Sequence, residues 1–452
     1  MNRRTIITTV LLSSAIGLWA QKKWTLDDCI DYAMQNNITL QQSRINAESS
    51  QEDVKAAKAA LLPSLSASTN QSVGYTPWTA SYGYSFTTSS GGTSSSNGVT
   101  KVDKVYYNGS YGLNASWTLW DGNKNINTIR QDKLTAEQAE LSAQATANSI
   151  QEEIAQLYVQ ILYLSDALSV SEQSLETSKK NEERGIEMQS VGKMSKADVA
   201  QLTAQRASDE YTIVDTRSSI EKAKLQLKQL LELDPGDYFD IVIPQTTNEQ
   251  ALAEIPSSQS VYEQAILCRP EIKNSELGVK SSDIAISMAK AGWMPTLSMT
   301  GGVGTSSGSR SDNSYGSQMK SNFDVSAGLT LSIPIYDRRQ TRTSVNKARL
   351  QYQYAKLNEH EAEHNLRNTI ENYWLDAENN QQKFRAAQVT VESEQASYEL
   401  LSEQFRLGLK NIIELMTGKD KLLKAQRDLL QSKYQTILAL QMLRFYRGEN
   451  IK

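Results

Sequence analysis

The chain has 452 residues, and its 47 lysines and arginines stand against 51 aspartates and glutamates for a formal charge of −4. That mildly acidic balance offers no broad basic surface, so nucleic acid is excluded as the expected partner. With only two cysteines, Cys29 and Cys268, no disulfide framework or cysteine-rich metal site can supply the stability, which must come from packing and assembly.

Residues 1–20 read as an export signal: Arg3 and Arg4 precede an apolar run from Ile6 to Leu18, too short for a mature membrane helix, and small Ala20 closes it. Beyond it, no run approaches the ~18 apolar residues of a membrane helix, so entry into a membrane is expected only as a barrel. Cys29 sits inside an amphipathic run rather than at the mature N-terminus, and no lipid-anchored cysteine is expected.

After Pro63, Leu65, Ala67, Val73 and Tyr75 mark a first strand. Tyr107, Tyr111, Leu113, Ala115, Trp117 and Leu119 alternate with Asn108, Ser110, Asn114, Ser116 and Thr118 in a second. The pair covers about 64–120, with a Gly/Ser-rich loop between Tyr75 and Tyr106. No proline occurs from there to Pro235, and Gly185 and Gly192 are the only glycines between Asn123 and Leu233. Proline costs roughly 3 kcal/mol inside a helix and glycine roughly 1, so the span reads as helix, with a hairpin tip near 189–195. Ile150, Ile154, Leu157, Ile161, Leu164 and Leu168 keep heptad spacing, which predicts a coiled coil. From Gly122 to Gln189 such a helix reaches roughly 100 Å.

Asp234-Pro235-Gly236 breaks the pattern, and 234–256 reads as an irregular connector, an equatorial segment. A second strand pair follows at about 296–335. Leu297, Met299 and Val303 mark one strand, and Phe323, Val325, Ala327, Leu329, Leu331, Ile333 and Ile335 the other. Gly301-Gly302-x-Gly304 falls at an expected strand end, before a loop from Gly304 to Asn322, so it does not read as a phosphate-binding loop. Leu366, Ile370, Tyr373, Ala377 and Phe384 then give a second heptad seam, with a tip near 405–411.

The halves match each other. An offset of 216 carries Val191-Gly192 onto Leu407-Gly408, Asp198 onto Glu414 and Trp120-Asp121 onto Tyr336-Asp337. An offset of 232 carries Pro63-Ser64-Leu65-Ser66 onto Pro295-Thr296-Leu297-Ser298 and Ala33 onto Ala265. Two tandem repeats are expected, at 21–233 and 257–452. Four strands leave two open edges, which hydrocarbon does not tolerate, so copies must join. By spacing alone, two copies and eight strands are as legal as three and twelve.

His360-Glu361-Ala362-Glu363-His364 satisfies H-E-x-x-H, the helical pattern of a zinc peptidase. These are the only histidines, so a third ligand would have to be a carboxylate such as Glu378 or Glu392. The helix runs on without the turn that would bring one back. A solvated helix face is expected instead, with no catalytic, cofactor or metal site and no enzyme activity.

Leu26-x-x-Cys29-Ile30-x-x-Ala33 with Asn36-Asn37, Arg269-Pro270-Glu271-Ile272, Leu331-x-Ile333-Pro334-Ile335-Tyr336-Asp337 and the two glycine turns together resemble the TolC-like outer-membrane efflux family. The resemblance covers essentially the whole mature chain. It implies an α+β membrane protein: a homotrimer with a 12-stranded transmembrane β-barrel in outer-membrane lipid, four strands per protomer, continued by a long periplasmic α-helical coiled-coil barrel. Its implied role is a passive conduit of a tripartite efflux or type I secretion system. The partners would be a periplasmic adaptor (membrane fusion protein) and an inner-membrane pump of RND, ABC or MFS type, with drugs, metals or polypeptides as cargo.

Carried over by motif, Val191, Gly192, Lys193, Ser195, Leu407, Gly408, Leu409 and Asn411 are the implied adaptor-docking tips. Asp198 and Glu414 are implied acidic gate positions, and Lys410 a basic position that holds some members closed. Phe405 stands where some relatives use a tyrosine hydroxyl. The alternative reading is a periplasmic coiled-coil scaffold without a pore.

Overall fold

The computed structural model describes residues 23–77, 104–234, 236, 238–244, 247–311 and 313–451. The export signal expected at 1–20 and most of the loop expected between Tyr75 and Tyr106 lie outside the described residues. By their own contacts the residues gather into two compact units: Met1–Ile45, Glu140–Lys273 and His360–Lys452 in one, Asn46–Ala139 and Asn274–Glu359 in the other.

The first unit is helical. α1 (Leu26–Asn36) begins at Thr25, whose hydroxyl accepts the Asp28 N–H while the Asp28 carboxylate accepts the Thr25 N–H, both at 3.1 Å. This reciprocal cap satisfies donors that a helix start leaves bare. Leu26, Cys29, Ile30 and Ala33 form its buried face. Asn37 then breaks the chain into α2 (Ile38–Ala59): its Oδ1 accepts the Leu40 N–H at 3.0 Å, and its Nδ2 donates to the Leu230 carbonyl at 2.9 Å. Asn37 of the Asn36-Asn37 motif is therefore a buried two-way cap, while Asn36 Nδ2 donates to the Tyr32 carbonyl at 2.9 Å.

α3 (Lys124–Ser190) and α9 (Gln340–Arg406) are unbroken helices of 67 residues each. α4 (Lys196–Leu230) and α10 (Ile412–Tyr446) return for 35 residues each. Within this unit Ile150, Ile154 and Ile161 of α3 bury against Ile220 and Leu227 of α4, Ile30 of α1 and Met442 of α10. Each such side chain contributes about 1.5–3 kcal/mol when fully removed from water. A second cluster packs Ile370 and Ala377 of α9 against Val261 and Ala265 of α6 (Ser258–Cys268) and Leu443 of α10. Pro270 opens α7 (Pro270–Lys290), where its missing N–H costs nothing, and the Arg269 guanidinium lies 3.9 Å from the Tyr446 ring centre and 4.6 Å from that of Phe445.

Two expectations change here. α4 stops at Leu230, before Asp234-Pro235-Gly236, because Glu232 takes a left-handed φ of 56° that lets the Leu233 N–H reach back to the Lys228 carbonyl at 3.0 Å. Nor is the connector irregular throughout. Trp24 N–H donates to Asp240 O at 2.9 Å and Val242 N–H to Trp24 O at 2.8 Å, a parallel bridge. Phe239 and Ile241 enter the core, and α5 (Asn248–Ala251) follows. The Tyr158 hydroxyl donates to Val242 O at 2.6 Å, and burial pushes that phenol up to about 12, keeping it a donor.

The second unit holds one antiparallel sheet in the order β1 (Ser64–Tyr75), β2 (Val105–Trp120), β3 (Thr296–Gly308), β4 (Asp324–Ser332). Ser64 pairs with Ser116 and Tyr75 with Val105; Leu113 pairs with Val303, and Val303 with Val325. Hence Leu65, Leu113, Val303, Val325 and Leu329 share one face, while Ser66, Asn114, Gly302 and Ser326 share the other.

Three strand expectations are corrected. β4 ends at Ser332 rather than Ile335, since Pro334 has no N–H to donate to a ladder. Gly301, Gly302 and Gly304 lie within β3 rather than at its end, each paired on both sides. The expected loop from Gly304 also contains structure: β3 continues to Gly308, and α8 (Tyr315–Ser321) folds back onto it. β4 reaches β3 only as far as Gly304, and beyond that point α8 supplies the missing edge partner. Gln318 Oε1 accepts the Gly308 N–H, and Asn322 Nδ2 donates to Ser306 O, both at 2.7 Å.

Candidate functional site

Both helix turns have the same backbone design. At the first, Gly192 has φ 71°; its N–H donates to Gln189 O at 3.0 Å and the Lys193 N–H to Met188 O at 2.8 Å. At the second, Gly408 has φ 75°; its N–H donates to Phe405 O at 3.0 Å and the Leu409 N–H to Gln404 O at 2.9 Å. A left-handed residue is what lets those N–H groups turn back to the last helical carbonyls, and glycine adopts it without a Cβ penalty.

The N-cap of the next helix stands three residues later in each case. Ser195 caps α4: its Oγ accepts the Asp198 N–H at 3.1 Å, and the Asp198 carboxylate accepts the Ser195 hydroxyl at 2.7 Å. Asn411 caps α10 by accepting the Glu414 N–H at 2.9 Å. The acidic residue six positions after each glycine is thus the third residue of a helix, where a carboxylate also meets the positive end of the helix dipole.

Asp198 is therefore engaged in its own cap. Glu414 is engaged differently, with Lys410 Nζ 2.8 Å from its Oε2. Phe405, only 5% exposed, packs with Leu202, Ile412 and Leu415, and Met194 and Tyr398 lie against them. This cluster joins the two turns. Val191, Leu407 and Leu409 point away from it, each about two-thirds exposed or more. The eight expected tip residues and the four expected gate residues thus gather at one end of the helical unit. On the sheet, Leu65, Val325, Leu329 and Leu331 are exposed on the apolar face.

Comparison with known proteins decides the family. The outer membrane efflux protein family matches residues 29–232 and 261–449, the greater part of the chain. The chain belongs to that family. As an outer membrane efflux protein it is similar to BepC, the outer membrane efflux protein of Brucella suis, at 22% identity over 96% of this chain and 88% of that one. A crystal structure of CusC superposes with a TM-score of 0.77 at 18% identity, covering 94% of this chain and 92% of that one. The Campylobacter jejuni outer membrane channel CmeC gives a TM-score of 0.75 at 20% identity, covering 94% and 86%. This efflux protein resides in the outer membrane, and its family consists of channel proteins rather than enzymes.

The H-E-x-x-H residues lie on α9. His360 is exposed, with Nδ1 3.4 Å from Glu363 Oε2, and His364 is exposed one turn on. Among the described residues, no group of three or more histidines, cysteines, aspartates or glutamates is placed to hold a metal ion.

Sequence reasoning missed a buried ion pair behind the turns. Lys419 of α10 meets the Asp209 carboxylate of α4 and the Ser178 hydroxyl of α3, all three side chains nearly solvent-free. Ser178 also donates to Asp209 at 2.6 Å. Gln205 reaches Asp209 at 3.3 Å and Asp420 at 3.4 Å, and burial raises the Asp420 carboxyl above its ordinary value. A signal existed: Asp209 falls one heptad after Leu202 in a seam continued by Ile213, Ile220 and Leu227.

Proposed function

We propose that three copies of this efflux protein close a 12-stranded barrel in the outer membrane, continue it as a periplasmic tube of helices, and act as the passive conduit of a tripartite export system. The observation that carries this reading is the sheet of four strands, whose edges among the described residues are β1 and β4, with one exposed apolar face. In hydrocarbon every backbone donor and acceptor needs a partner, so the edges of separate copies must pair. Three copies rather than two follows the family resemblance. The equal lengths of α3 and α9, and of α4 and α10, support two tandem repeats that fill the tube evenly.

The exposed apolar side chains at the turns supply contact area for a periplasmic adaptor, which in turn meets an inner-membrane pump. Glu414, repeated once per copy, places a ring of carboxylates at the periplasmic mouth, partly neutralised by Lys410. Export systems whose components resemble this chain are named for cations, toxins and drugs, and an alkaline protease. The test is planar-bilayer conductance of the detergent-purified protein alongside its native mass. A three-copy mass with discrete conductance steps is expected. A folded protein of three-copy mass that never conducts would favour the scaffold reading, and a detergent-free monomer would end both the barrel and the trimer.

A further inference from the structure

Four side-chain bridges join α3 to α10 along one antiparallel seam. Ser178 meets Lys419, Ser171 Oγ accepts from Arg427 Nη2 at 3.2 Å, Asp166 Oδ2 accepts from Tyr434 Oη at 2.7 Å, and Glu152 Oε2 accepts from Tyr446 Oη at 3.3 Å. Descending α3 from 178 to 152 is matched by ascending α10 from 419 to 446, so every bridge reports the same alignment over about 40 Å of helix. Ser178, Ser171, Lys419 and Tyr434 are each at most 5% exposed, and Lys419 additionally ties in Asp209 of α4. Buried polar pairs inside an apolar coil specify register, because sliding by one turn leaves each of them without its partner in a dry interior. On the turn side of Lys419 the character changes: the Ile412 and Leu415 side chains pack into an apolar cluster with Leu202 and Phe405, which fixes register less strictly than paired polar groups do.

We infer that the α3–α10 bridges are a register lock that fuses residues 152–178 of α3, the part of α4 around Asp209 and residues 419–446 of α10 into one rigid body. Displacement of the Gly408 turn relative to the Gly192 turn is then confined to the segment before Lys419. The lock holds the two helical hairpins of one copy together independently of the channel reading. Its consequence for a channel is that widening the tube bends the first two turns of α10 and leaves the body of the seam in register.

Hydrogen–deuterium exchange on the native detergent-solubilised protein tests the lock directly. Peptides from 419–446 and 152–178 are expected to exchange together, with 412–418 at least about tenfold faster. Uniform exchange from 412 to 446 would overturn the inference. A Ser178→Cys/Lys419→Cys pair in a Cys268→Ser background, joined by a short bis-methanethiosulfonate reagent whose spacer stands in for the lysine stem, supplies the functional arm. After joining, its conductance should equal that of its reduced form, since the seam never slides. Conductance lost on joining and restored by reductant would make the seam a latch and refute the lock. Absence of conductance in the unsubstituted protein would strike the channel reading alone and leave the exchange result to decide.

Discussion

Replacing Gly408 with alanine isolates a single backbone effect. A Cβ built there meets no atom within 4 Å, so no steric contact with neighbours is added, and the whole cost is that of holding an L-residue at φ 75°. That cost is about 1–2 kcal/mol, and alanine adds a few tenths more in its favour by restricting the unfolded chain, leaving about 1 kcal/mol net. The two turn hydrogen bonds, from the Gly408 and Leu409 N–H groups, should therefore open about fivefold more often. Amide exchange at those positions reads this directly, while the native mass and the exchange of the distant seam stay unchanged. Asparagine tolerates the left-handed region better and should give a smaller rise, and valine a larger one. Equal exchange in all three variants, or asparagine as damaging as valine, would refute the assignment of Gly408 to conformation rather than contact. On the proposed function, a bulky residue such as leucine should in addition weaken crosslinking to a periplasmic adaptor.

On the proposed function Lys410, 2.8 Å from Glu414, offsets its charge at the pore mouth, so Glu414→Ala should lower cation preference and Lys410→Ala should raise it, measured by reversal potential across a salt gradient; no shift in either variant would count against placing both there. Asp240 binds Lys224 at 2.9 Å and Lys23 at 3.2 Å. Burial pulls its carboxyl upward, but the two lysines together outweigh it and hold the carboxyl below the ordinary value near 3.9. Its contribution, under about 1 kcal/mol with Lys23 exposed and Lys224 and Asp240 only partly buried, is present above that value and lost as pH falls through the folded-state value. Acid-induced release of the connector should therefore begin at higher pH in Lys224→Met, followed by proteolysis within 234–256. Gln318→Ala together with Asn322→Ala leaves the Gly308 N–H and Ser306 carbonyl without their partners, at about 1–3 kcal/mol, and should speed tryptic cleavage at Arg310 and Lys320 by about tenfold. Unaltered cleavage would mean that α8 is held by other contacts.

Long elements were legible because their signals are cumulative. Helix α3 is announced by the absence of proline over its whole length and by Ile154 and Ile161, which are indeed fully buried. The sheet faces follow from the alternation of Leu113 with Asn114. Illegible parts depend on partners distant in sequence. Nothing local to Asp209 names Lys419, 210 positions on, and a seven-residue helix such as α8 is too short for periodicity to show. Glu232 overrode its own preference for a negative φ because the buried Leu231 and the turn-back of Leu233 outweigh a cost of about 1 kcal/mol. The motifs that carried the family resemblance turned out to be caps and core positions: Asn37 caps a helix and Pro270 begins one. At the turns, Ser195 with Asp198 and Asn411 with Glu414 are helix caps, so the spacing that carried the resemblance there is also what starting a helix requires.

Strand β1 has 12 residues and β4 has 9. On the proposed assembly, a neighbouring copy that lays its β1 along β4 runs out of ladder before its own strand is finished, and the rung that follows is made of a short helix. Rim height is thus metered by one loop. Lengthening or trimming the α8 segment becomes a way to tune how far the cylinder stands above the lipid without touching the staves themselves.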